Sequence, residues 1–173
     1  MDNKQRIELY KNIYNNQITR KDALKGKLLF PSGILLLFMS LANYIFSFLS
    51  KEPNGVVGLF LLISFSFFIY NLLKSLFFIF KSWKGYEYAY LPKSEEIEDY
   101  HDKVTEDQFE TFLINKYTES NDKNFKHNKE LRENLLKIQK QLIHALIAGI
   151  ISVFLIHIDK FIFHSVNIIN SIH

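Results

Sequence analysis

The chain contains no cysteine, which excludes disulfides, thiolate metal ligands and a cysteine nucleophile. The net charge is only +3, and basic side chains alternate with acidic ones. The dense basic patch of a nucleic-acid surface is therefore missing, and no direct nucleic-acid binding is expected. There is no P-loop, Gly-rich dinucleotide turn, nucleophile elbow or HExxH motif, and the chain is expected to be non-enzymatic and free of cofactors. Glu98, Asp99, His101 and Asp102 form the one acid–histidine cluster. Neighbours on one helix point in different directions, whereas a metal needs three or four converging ligands. That cluster reads as solvated surface, with no metal site. His127, Asn128 and Arg132 have no second catalytic half, and Arg132 lies too far from His144 for a ribonuclease-like Arg–His pair.

What the chain does have is long apolar runs. Leu28 to Ser50 carries no charged side chain, Val56 to Phe80 is broken only by Lys74, and Leu142 to Ile158 makes a third run. A helix crosses the roughly 30 Å hydrocarbon core with about 20 apolar residues. Seventeen phenylalanines fall mostly in or beside these runs, and Phe and Leu are well tolerated at bilayer depth. Mean hydropathy near zero averages apolar spans with polar arms. The expected fold is an all-α integral membrane protein with a two-span hairpin, a cytoplasmic helical region and a long helix continuing into a third span. Its parts are a cytoplasmic amphipathic helix (1–27), spans at 28–50 and 56–80 joined by an external turn (51–55), a cytoplasmic helical region (81–141), a third span (142–158) and an external tail (159–173). Because 27 mostly polar residues precede the first run, that run reads as a retained anchor rather than a cleaved signal.

Lys and Arg set the expected orientation. Seven lie in residues 1–27 and eleven between Lys81 and Lys140, whereas the KEPNG turn holds only Lys51 and only Lys160 follows the third run. Excess Lys and Arg stay cytoplasmic. The N-terminus and residues 81–141 are then inside, the turn and C-terminus outside, and the location is the inner membrane. Pro53-Asn54-Gly55 supplies the tight turn. Trp83, Tyr86, Tyr88 and Tyr90 beside Lys81 and Lys84 read as a headgroup belt.

The arms have helical patterns of their own. Ile7, Tyr10, Ile13, Tyr14 and Ile18 make residues 3–26 an amphipathic helix expected to pack against the other arm. Ser94 reads as the N-cap of a short helix with Glu95 and Glu96 in its first turn, and Thr105-x-x-Gln108 as a capping box. The polar stretch Glu119–Asn128 lacks Pro and Gly, so one long helix is expected, with a kink possible near 119–124. Leu131, Leu135, Ile138, Leu142 and Ala145 follow at 4-3-4-3 spacing, a coiled-coil-like seam entering the third span, with Gly149 continuing it.

Polar side chains inside the spans share helical faces. These are Ser40, Asn43, Ser47 and Ser50 in the first, Ser64, Asn71 and Lys74 in the second, and His144, Ala148 and Ser152 in the third. Intramembrane polar residues avoid lipid and face protein or a water-filled cavity. Two readings stay open: bonds between helices, with Ala145-x-x-x-Gly149 allowing close packing, or a polar pore. Three helices enclose no water column, so a pore requires an oligomer. Lys74 reads as snorkelling to the cytoplasmic interface. His157, His164 and His173 read as outer-interface residues.

Three stretches, ELYKNIYNNQITRKDAL with LLFPSGIL, YEYAYLPKSEEIEDYHDK, and FLINKYTESNDKNFKHNKEL, resemble a set of small bacterial membrane proteins. The overall plan resembles the SLATT-type effectors, and the size and layout are similar to membrane accessory proteins of type VI-B CRISPR systems. The resemblance implies a role in antiviral defence, with the membrane part forming pores or perturbing the bilayer. The third span departs from the two-span plan, and no family residue carries over by motif. The expectation is an oligomeric membrane effector in contact with the bilayer and with copies of itself. The alternative is a membrane-anchored adaptor or regulator that holds a soluble defence partner through residues 84–135. Reporter fusions test the threading: tags at residue 2 and within 94–104 read as cytoplasmic, and a tag in 51–55 as external.

Overall fold

A computed structural model describes residues 2–51, 53, 55–83, 88–92 and 94–172, with the side chains of 94, 163 and 166–172 left aside. Asn54, Lys84, Tyr86, His173 and the Ser94 cap therefore lie outside the described residues. Every regular element among those described is helical: α1 (Asn3–Gly26), α2 (Leu29–Leu49), α3 (Gly55–Trp83), α4 (Ser94–His101) and α5 (Glu106–Ile172). Three stretches, Asn3–Leu49, Gly55–Trp83 and Glu106–Ile162, are long and apolar enough to cross a membrane.

Two residues separate α1 from α2. Pro31 sits in the first turn of α2, where it has no N–H to give the Lys27 carbonyl and its ring crowds that carbonyl. The chain breaks there, yet Lys27 and Leu28 keep right-handed helical angles. The start of α5 is fixed by Thr105, whose N–H donates to Gln108 Oε1 at 3.1 Å, one half of a capping box. From Glu106 the helix is uninterrupted through Ile172, so residues 119–124 carry no break and the expected tail from 159 is helical to 172.

The chain divides into two compact units, 1–27 with 82–134 and 28–81 with 135–173. The second unit is a bundle of α2, α3 and the C-terminal part of α5, cored by Ile45, Leu61, Phe68, Leu72, Ala145, Ala148 and Ile156. Its outside is apolar: Leu36, Leu37, Phe60, Phe67, Phe77, Ile147, Ile150 and Phe154 are all exposed. Meanwhile Asn71, Ser75 and Ser152 are buried. Exposed apolar area of this extent is foreign to a water-soluble monomer and natural for helices facing lipid. Two glycines permit close approach. A Cβ at Gly149 would come 2.9 Å from Leu41 Cδ2 and 3.3 Å from Phe68 Cε2, and one at Gly58 would meet Pro53 Cγ at 3.1 Å.

The first unit packs α1, the extended residues 88–92 and α4 on the N-terminal part of α5. Tyr14 meets Tyr117 edge-on at 6.0 Å, Tyr100 stacks on Phe112 at 4.3 Å, and His101 sits edge-on to Phe109 at 4.7 Å. Within the acid–histidine cluster, Asp99 pairs with Lys103 at 2.7 Å.

One continuous stripe of α5, winding slowly around the helix, runs through both packings. Ile114, Tyr117, Asn121, Asn124, Asn128, Leu131, Leu135, Ile138, Leu142, Ala145, Gly149, Ser152, Ile156 and Asp159 alternate at 3-4 spacing, and all are buried. Leu131 through Gly149 are therefore committed to packing within the chain. Crowding that stripe at its tightest point is costly. Gly149→Leu is expected to lower stability by about 3 kcal/mol and Gly149→Ala by about 1 kcal/mol, read by thermal unfolding in micelles.

Candidate functional site

The polar side chains of the second unit fall into two sets. The first points inward. Ser64 Oγ donates to the Ala148 carbonyl at 3.0 Å, while Ser152 Oγ lies 3.0 Å from Ser64 Oγ and 2.9 Å from that same carbonyl. This knot joins α3 to α5 and leaves no bare hydroxyl at its centre. Asn71 Nδ2 donates to Phe67 O at 2.7 Å on its own helix. Ser75 Oγ is buried and lacks a hydrogen-bond partner.

The second set points outward. Ser40, Asn43, Ser47 and Ser50 are all exposed on α2, on the side away from Leu35, Leu41, Ile45 and Phe48. Ser50 Oγ donates to Ser47 O at 3.0 Å. The Asn43 carboxamide sits well inside a span that runs to Leu49, exposed to whatever surrounds the bundle. The interior of hydrocarbon offers it nothing to bond, and an unpaired amide there costs several kcal/mol. The candidate polar residues therefore do not converge: Ser64, Asn71 and Ser152 serve the interior, and Ser40, Asn43 and Ser47 face out.

Lys74 stands apart from both. Its Nζ donates to Tyr70 Oη at 3.1 Å and lies 5.1 Å from that ring centre. It reaches back along α3, away from the Lys81 end expected to be cytoplasmic. Side chains on a helix lean toward its N-terminus, and the phenol offers an acceptor and a π-face at that spot. The expected snorkelling toward the opposite end is replaced by this local pair.

The first unit holds a cluster that the sequence reading passed over. Asn124 grips both main-chain polar groups of one residue with its carboxamide: Ala89 N–H donates to Oδ1 at 3.0 Å, and Nδ2 donates to Ala89 O at 3.1 Å. Asn128 accepts from the Tyr88 hydroxyl, while its Nδ2 donates to Gln17 O at 2.9 Å and Gln17 Oε1 at 2.7 Å. Asn121 Nδ2 donates to Tyr10 O at 3.1 Å, leaving Oδ1 buried without a partner. Lys21 Nζ lies 4.7 Å from the Tyr88 ring centre and donates to Tyr90 Oη at 3.1 Å. Tyr88, read from sequence as part of the headgroup belt, is thus only 6% exposed and belongs to this core. Trp83 and Tyr90 are exposed. The usable signal is spacing, because Asn121, Asn124 and Asn128 extend the 3-4 seam N-terminally from Leu131.

Burial, then the nearby Asp22 carboxylate, pushes the Tyr88 phenol up to about 12 from 10.0. Tyr117 is likewise raised by burial and by Tyr14. Among the described residues no three His, Asp or Glu side chains gather where they could hold a metal ion. No family model matches the chain, and no curated protein or solved structure matches it.

Two outcomes follow for the asparagine core. Stability from Tyr88 is whole below pH 10 and is lost as pH rises from 10 toward 12, because the folded unit favours the protonated phenol. Tyr88→Phe should flatten that alkaline limb of the unfolding curve. Asn128→Leu strands the Tyr88 hydroxyl and should cost roughly 2 kcal/mol, whereas Asn128→Leu combined with Tyr88→Phe costs less than the sum of the two. Chemical denaturation followed by circular dichroism reads both.

Proposed function

We propose that this protein is a non-enzymatic, homo-oligomeric effector of the bacterial inner membrane that forms or gates a pore or otherwise perturbs the bilayer. The observation that carries the reading is the outward polar face of α2. A single copy leaves Ser40, Asn43 and Ser47 exposed at a depth where lipid cannot bond them, and polar groups at such depth belong against protein or a water-filled path. Copies that turn this face toward a shared axis give those groups water or one another. The threading carried into the proposal puts both polar arms in the cytoplasm, where the first unit receives the signal. Antiviral defence enters through the resemblance to SLATT-type effectors.

One feature favours the second reading, a membrane-anchored adaptor for a soluble partner. Beside the asparagine core the first unit has an open groove of about 600 Å³ lined by Tyr88, Ala89, Lys123, Lys126, His127 and Glu130, large enough for a side chain or short segment of a partner. Leakage separates the two readings. Vesicles holding the reconstituted, cross-link-verified oligomer are expected to release a small dye, and Asn43→Leu to change the rate several-fold. Release no faster than from empty vesicles would favour the adaptor.

A further inference from the structure

We infer that the α2 face bearing Asn43 is the contact surface for a second copy of this chain, with carboxamides of neighbouring Asn43 side chains bonding to each other. The inference rests on the oligomeric reading above and names the face that reading uses.

The seam best suited by spacing to pair with another helix is already consumed, since Leu131, Leu135, Ile138, Leu142, Ala145 and Gly149 are all buried within the chain. Inward polar groups are turned away from any second copy: Ser64 and Ser152 bond each other and Ala148 O, Asn71 bonds Phe67 O, and Ser75 is buried. The outward face of α2 is different. Asn43 is exposed, and an amide in hydrocarbon is strongly driven to find a partner. Ser40 and Ser47 flank it one turn away on the same face, and their small side chains let a second helix come near.

A second copy is the occupant that matches this chemistry. A carboxamide carries both donors and an acceptor, so two of them brought together by a symmetry axis satisfy each other with the same residue on both sides, as an isologous contact requires. Serine hydroxyls, donor and acceptor at once, are self-complementary in the same way. The face carries no charge and so calls for no oppositely charged partner. A lipid would leave every one of these groups unbonded.

The lack of native cysteine makes the test direct. Asn43→Cys is placed in the full chain, reconstituted in vesicles and oxidised, beside Leu62→Cys and Phe154→Cys, which are exposed on α3 and α5. Disulfides form only when Cα atoms come within about 7 Å. The expected result is cross-linked dimer at position 43 and several-fold less at 62 and 154. In the cysteine-free background, Asn43→Leu should weaken self-association roughly tenfold by energy transfer between labelled copies, with Asn43→Gln retaining most of it. Equal cross-linking at all three positions, or unchanged association in Asn43→Leu, overturns the inference. If position 43 cross-links while vesicles stay sealed, the contact stands and the pore reading falls. If vesicles leak without position-43 cross-linking, the contact falls and the pore reading survives.

Discussion

A polar group surrounded by hydrocarbon must find its hydrogen bond inside protein, and that constraint orders the rest of this molecule. Backbone groups meet it by helix formation, the simplest way for a single segment to satisfy all its own donors and acceptors. Side chains meet it in the Ser64–Ser152–Ala148 knot and in Asn71, both turned into the bundle. Lys74 meets it with Tyr70 one turn back on the same helix. Apart from Ser75 Oγ, which is buried without a partner, the α2 face with Ser40, Asn43 and Ser47 leaves that demand open in a single copy.

The long helix α5 shows how one pattern serves two compact units. Its 3-4 seam keeps one continuous stripe buried from Ile114 to Asp159 as it winds slowly around the helix, yet the chemistry of that stripe changes along the way. Asparagines at 121, 124 and 128 bond main-chain groups of α1 and residues 88–92. Leucines and isoleucines follow, then Ala145 and Gly149, where helix backbones come close. In an aqueous unit, asparagine at core positions costs stability relative to apolar side chains and specifies which partner is held in which register. In the apolar unit small residues do the equivalent work, letting helix backbones pack closely.

Much of this was legible in advance. Three apolar runs, a capping box at Thr105 and the seam from Leu131 are one-dimensional patterns, and the helices follow them. The asparagine core was not legible, because ESNDKNFKHN is polar by composition and its burial depends on α1 and residues 88–92 arriving from far along the chain. Tyr88 misled for a related reason: an aromatic next to lysines and a span has the composition of a headgroup belt, while its position opposite Asn128 is a tertiary fact. Likewise, face-sharing put Ser40 and Ser64 in one class, and only the packed bundle separates outward from inward.

The proposed assembly requires the α2 polar face to be shielded from lipid. Spin labels placed singly at 37, 40, 43, 46 and 47 in bilayers, with relaxation by dissolved oxygen measured at each, test this most directly. High oxygen exposure at 37 and 46 with low exposure at 40, 43 and 47 is the predicted pattern. Lipid-like oxygen exposure at 40, 43 and 47 would contradict it.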